Sequence, residues 1–181
     1  MAMGTTAGTT FQSEAALDTY ISGLKNAHAL EKQAMQLMER QLERIESYPE
    51  VEQLLRMHAR ETEVQIRRID EILHSFGEDR SILKDMATSL SGNMAAIAHA
   101  IMPDEILKNH FANHAFENFE IAAYESLITM AEATGHSQHV AALRLSLAEE
   151  EKMAQTLREM TPKLTQKYMR LYEESTTAAK V

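Results

Sequence analysis

Several glutamates in this sequence stand where a helix needs apolar residues. The central one is Glu61, in the run His58-Ala59-Arg60-Glu61-Thr62-Glu63-Val64-Gln65. Residues three apart on a helix share a face, so His58 and Glu61 set an imidazole beside a carboxylate. At about 100° per residue, Leu54 and Ile72 fall within about 20° of Glu61, and His58 and Gln65 within about 60°, which turns this carboxylate toward the core. Glu31 is the clearest case, because Leu17, Tyr20, Leu24, Met35, Met38, Leu42 and Ile45 all fall within about 40° of it. Glu120 shares its face with Ile106, Asn113, Phe116, Glu117, Tyr124, Leu127 and Ala131, and Glu150 lies among Leu143, Leu147, Ala154 and Leu157. Carboxylates gathered in a low-dielectric core repel one another and lose their hydration, so protons, cations or metal ions must neutralise them. Two divalent metal ions bring four positive charges, and an imidazole adds a nitrogen suited to iron or manganese.

Four long helices must position these groups. Ser13 caps the first, which runs to about Ser47. Pro49 opens the second, which ends at Phe76 and Gly77. Pro103 opens the third, which ends at Thr134 and Gly135, and the fourth runs from Ser137 to Thr161-Pro162. The connections within each pair are short, so each pair forms an antiparallel hairpin. A Met-rich helical stretch over residues 81–102 reads as the crossover between hairpins, and Lys163 to Glu174 as a short accessory helix outside the bundle. The fold class expected is an all-α antiparallel four-helix bundle, one domain over residues 13–175, with a flexible tail over 1–12 and frayed residues over 176–181. Glu31, Glu61, Glu120 and Glu150 each lie within about two residues of a helix centre, where four antiparallel helices meet. Both hairpins separate their two glutamates by 30 residues, as expected for similar units related by a pseudo-twofold axis.

The metal ligands expected are therefore Glu31, His58, Glu61, Glu120 and Glu150, with Glu117, one turn before Glu120, as a sixth. A related design usually carries Glu-x-x-His twice. Here the order on the second helix is reversed, and Met153 stands three after Glu150, so the set holds five carboxylates and one imidazole. Three His-x-x-Glu pairs occur, at His28, His58 and His114, where chance gives about one, so alignment across helices carries more weight than spacing. Glu71-x-x-His74 lies off the inward face and reads as surface pairing. Tyr124 stands where it can hydrogen-bond a ligand carboxylate, while Glu149 and Glu151 read as a solvated face with Lys152 and Arg158. Arg68 is a candidate internal cation.

Composition narrows the function. With no cysteine, thiolate metal sites, disulfides and cysteine nucleophiles are excluded. A net charge of −9 disfavours nucleic acid and anionic membrane as partners. No apolar run reaches the roughly 20 residues of a membrane span. Met1 to Thr10 has neither the basic nor the apolar region of an export signal, so a cytoplasmic location is expected.

Several segments, Asn26-Ala27-His28-Ala29-Leu30-Glu31-Lys32-Gln33, Glu61-Thr62, Phe116-Glu117-Asn118-Phe119-Glu120-Ile121-Ala122 and Leu147-Ala148-Glu149-Glu150, resemble the YciE and YciF family of bacterial ferritin-like stress proteins. The resemblance spans about Tyr20 to Tyr172 and is closer to the YciE branch. It implies a ferritin-like bundle, a homodimer, a dinuclear metal centre of the kind found in the YciF branch, and induction by stress. Relatives often carry Glu-His-Tyr-Glu where this chain has Glu117-Asn118-Phe119-Glu120, and an acidic residue near Ala154 or Gln155.

The leading expectation is a stress-associated protein with two iron or manganese ions, acting on peroxide or oxygen as a peroxidase, catalase or ferroxidase would. The alternative is a metal-free helical interaction protein whose inward glutamates are protonated or paired with a cation such as Arg68. A third is a storage shell, which would run as a very large particle.

Overall fold

The computed structural model describes residues 10–78 and 105–178, and its helices are α1 (Glu14–Leu42), α2 (Pro49–Ser75), α3 (Glu105–Ala133) and α4 (Val140–Ala178). The expected crossover over residues 81–102 lies outside the described residues, as does most of the expected amino-terminal tail. The Ala16 N–H donates to the Ser13 side chain at 3.2 Å, closing the start of α1. Pro49 occupies the first turn of α2, where its missing N–H costs nothing.

Two glycines end the first helix of a turn by the same device. Gly77 (φ 77°) and Gly135 (φ 79°) take left-handed backbone after α2 and α3. The following N–H of Glu78 then reaches back to the Leu73 carbonyl at 3.2 Å, and that of His136 to Ala131 at 2.7 Å. A 3-10 turn over Ser137–His139 leads straight into α4. At this end the Tyr20 hydroxyl meets His139 Nδ1 at 3.1 Å in a fully buried contact.

Helices α1 and α2 pack as one hairpin and α3 and α4 as the other, with α1 against α3 and α2 against α4. The core is in two parts. One apolar cluster holds Tyr20, Leu24, Ile69, Leu73, Tyr124, Leu127 and Leu143, and the other Leu30, Met38, Leu55, Phe116, Met153, Leu157 and Leu164. Between them lies a layer of buried polar side chains that includes Glu31, His58, Thr62, Gln65, Glu117, Glu120, Ser146 and Glu150.

Two helix ends differ from expectation. Helix α1 stops at Leu42 rather than near Ser47, passing into tighter turns in which Arg44 N–H bonds to Gln41 O at 3.0 Å. Helix α4 does not stop at Pro162 but continues to Ala178, so residues 163–174 are its extension and not a separate accessory helix. Pro162 withholds one N–H from the Arg158 carbonyl, and both residues lie on the exposed face of the helix. Beyond the proline, Leu164 is buried in the second cluster and Lys167 Nζ pairs with Glu50 at 2.9 Å, which holds the extension against the start of α2. Among the described residues no helix is long and apolar enough to cross a membrane.

Candidate metal centre

The inward face of α2 is set by His58, Thr62, Gln65 and Ile69, all at most 1 % exposed. Their spacing of four, three and four is one helical stripe. It aims His58 at the middle of the bundle and leaves Glu61 at the edge of the buried face. Helix α3 contributes Glu117 and Glu120, and α4 contributes Glu150, each buried. One ligand atom from each of His58, Glu117, Glu120 and Glu150 lies within 4.8 Å of the others.

Within this group the Nε2 of His58 stands 3.2 Å from Glu117 Oε2 and 3.5 Å from Glu150 Oε2. Glu31, the expected ligand from α1, is not one of these four; it is buried and accepts a short hydrogen bond from the Tyr124 hydroxyl. Glu61 falls outside the group as well, and nearer the surface. Its side chain is 24 % exposed, with Oε2 3.3 Å from His58 Nδ1 and Oε1 3.5 Å from Lys152 Nζ.

The electrostatics reflect this crowding. Burial raises Glu31 to about 8, against the opposing pull of the Tyr124 hydrogen bond and the His58 charge. Burial also raises Glu150 to about 10, reinforced by the neighbouring Glu117 carboxylate. Glu120 is pushed well above the ordinary carboxylate range by burial and then by Glu31, Glu150 and Glu117. For His58 burial disfavours the cation, yet hydrogen bonds to Glu117 and Glu61 outweigh it and raise the imidazole to about 10. Glu61 is lowered, first by its hydrogen bond to His58, so it remains an anion at neutral pH.

Several of the inner oxygens go without a hydrogen bond. Glu31 Oε2, Glu120 Oε1 and both oxygens of Glu150 are buried without a hydrogen-bond partner. Such orphans are costly and call for an unmet ligand. Oxygen donors from three helices with one imidazole nitrogen fit a hard or borderline divalent metal ion.

The family described as Domain of unknown function (DUF892) matches residues 15–170. The chain belongs to this family. A curated relative is Protein YciF of Escherichia coli K12, 29 % identical over 140 residues, which cover 74 % of this chain and 82 % of YciF. Among solved structures, a protein from Xanthomonas campestris superposes with a TM-score of 0.73 at 24 % identity, covering 88 % of this chain and 99 % of that one. The E. coli stress protein YciF superposes with a TM-score of 0.68 at 22 % identity, covering 86 % and 99 %. These likenesses support the same all-α bundle.

Some neighbours of the site in this DUF892 chain escaped the sequence reading. Glu149, expected on a solvated face, is half-buried and accepts from Arg68 Nη2 at 3.0 Å and from Gln65 Nε2 at 3.1 Å. Arg68 also donates to Ser146 Oγ at 3.2 Å. Arg68 is thus hydrogen-bonded to Glu149 and Ser146, and its pairing with the inward glutamates, weighed above, is not what the structure has. The available signal was that Arg68 and Glu149 each stand three residues after a polar residue of the inward face, Gln65 on α2 and Ser146 on α4.

Proposed function

We propose that Glu31, His58, Glu117, Glu120 and Glu150 hold two divalent metal ions, iron or manganese, and that the loaded protein performs redox chemistry on peroxide or oxygen. The observation that carries this reading is the set of buried carboxylate oxygens without hydrogen-bond partners, converging on one imidazole nitrogen. Four inner carboxylates balance the charge of two divalent ions, and oxygen-rich donors favour iron or manganese over softer metals. When bound, such a pair supplies a change of oxidation state and an open position for a small oxidant. The chain itself does the positioning. Tyr124 donates to Glu31 and holds that carboxylate in place. His58 presents Nε2 to Glu117 and Glu150, and apolar clusters on both sides keep bulk water out. A role under stress accords with the name of the E. coli stress protein YciF.

Elemental analysis of the protein before and after anaerobic loading with iron and with manganese tests this. Near two ions per chain are expected, with peroxide consumed by the loaded protein and not by Glu31→Ala or Glu120→Ala variants. No stoichiometric uptake of either metal would overturn the proposal.

A metal-free reading is favoured by one observation: Glu31 and Glu150, raised to about 8 and about 10, can be neutral at physiological pH beside a cationic His58. In that case neither chelator nor added metal shifts the melting temperature. The homodimer belongs to the proposal too. Phe111 and Phe119 are about half exposed and line an open apolar cavity of about 480 Å³ that also includes Leu37 and Gln41 of α1. Gel filtration at twice the chain mass is expected, and a very large particle would point instead to a shell.

A further inference from the structure

We propose that Glu61 is a positioning residue for His58 and not a ligand of the metal pair, an inference that rests on the reading above. Glu61 Oε2 lies 3.3 Å from His58 Nδ1, the ring nitrogen opposite the one that faces Glu117 and Glu150. A carboxylate anion can only accept a hydrogen bond, so Nδ1 carries the proton and Nε2 is the nitrogen turned to the buried group. This is the usual relation of a metal-bound histidine to its outer carboxylate, which fixes tautomer and ring orientation and raises ligand basicity.

Burial separates Glu61 from the ligands. The side chains of His58, Glu117 and Glu150 are 2 %, 6 % and 0 % exposed, and Glu31 and Glu120 are buried, whereas the Glu61 side chain is 24 % exposed. Its second oxygen is 3.5 Å from Lys152 Nζ, a largely exposed ammonium on α4. Charge separates them as well. The four inner carboxylates already equal the charge of two divalent ions, while the Glu61 charge is met by Lys152. The His58-x-x-Glu61 order explains the geometry, because Glu61 lies one turn toward the C-terminus and sits over the edge of the ring that His58 turns inward.

The experiment is manganese titration of the full chain with wild-type, Glu61→Gln and Glu61→Ala proteins. Glutamine keeps an oxygen that accepts from Nδ1–H but loses the charge, whereas alanine loses both. Two manganese ions per chain are expected in all three, with the alanine variant binding about 10- to 100-fold more weakly and glutamine recovering most of that loss. A fall to one ion per chain in both variants would make Glu61 a ligand and overturn the inference, as would unchanged affinity in the alanine variant. Nitrogen-15 NMR of the metal-free protein gives a separate readout. The His58 Nδ1 proton should be protected in wild-type and Glu61→Gln protein and lost to exchange in Glu61→Ala; equal exchange in all three overturns the positioning role. A wild-type chain that takes up neither manganese nor iron refutes the metal reading instead, and the proton signal still decides whether Glu61 positions His58.

Discussion

Raising the pH should destabilise the metal-free protein across a range where most domains barely respond. A glutamate ordinarily titrates at 4.5, but in the folded chain Glu31 titrates at about 8 and Glu150 at about 10, in both cases chiefly because burial disfavours the anion. The folded state therefore binds more protons than the unfolded state between those values, and stability must fall as pH rises. The contribution is complete below 4.5 and is lost as pH climbs through the folded values. His58 acts in the same direction above its ordinary 6.5, because despite burial its hydrogen bonds to Glu117 and Glu61 hold the imidazole protonated to about 10. Each proton taken up on folding is worth about 1.4 kcal/mol per pH unit. The clustered carboxylates compete for the same few protons, so we take one net proton as the working figure. Between about pH 5.5 and 7.5 the loss is then about 3 kcal/mol, or roughly 6–12 °C in melting temperature for a chain of this size. Thermal unfolding followed by circular dichroism in the presence of chelator measures it. Replacing the titrating group in Glu150→Gln should flatten the slope, and saturating manganese should reverse it, because the ions require deprotonated ligands. A melting temperature that stays level or rises from pH 5.5 to 7.5 in chelator would refute the assignment of protons to this cluster.

Three further outcomes follow from packing and hydrogen bonding. Tyr124→Phe leaves the ring in place but strips Glu31 of its buried donor, and should cost about 1–3 kcal/mol in urea unfolding of the metal-free protein; an unchanged midpoint would mean that the hydroxyl is not holding the carboxylate. Leu164→Ala should cost about 2–5 kcal/mol, since this residue beyond Pro162 is 1 % exposed in the second cluster, whereas a loss well below 1 kcal/mol would show that the end of α4 is dispensable to the core. Tyr20→Phe removes the buried contact with His139 and should lower stability by about 1 kcal/mol, with no change in metal stoichiometry because it lies at the end of the bundle.

Much of the bundle was legible because a carboxylate inside an apolar stripe is conspicuous. Glu31, Glu120 and Glu150 were each found this way, and each is at most 1 % exposed. On α2 the same method misplaced the axis. Counting apolar residues alone weighted the stripe toward Leu54 and Ile72, but Thr62 and Gln65 are fully buried polar residues that an apolar count ignores. With them included, the inward arc passes through His58 and Ile69, and Glu61 moves to its margin. The partnership of Arg68 with Glu149 joins two helices 81 positions apart, and nothing local announces such a pairing. The passage of α4 through Pro162 was hidden for a related reason. Proline marks the end of most helices, and only the burial of Leu164 and the tie from Lys167 to Glu50 pull the chain onward.

The polar layer between the two apolar clusters also acts as a vernier. Helices with uniform apolar faces can slide past one another by a turn or two and still bury similar surface, which leaves their alignment poorly determined. Here a slip of one turn along α1 would carry Glu31 out of the layer into one of the apolar clusters, while Ala27 or Ala34 took its place among the carboxylates. Misaligned assemblies thus pay twice, at the displaced glutamate and at the orphaned ones left behind. The charges that make the centre of the bundle expensive are therefore also what allows its four helices only one way to meet.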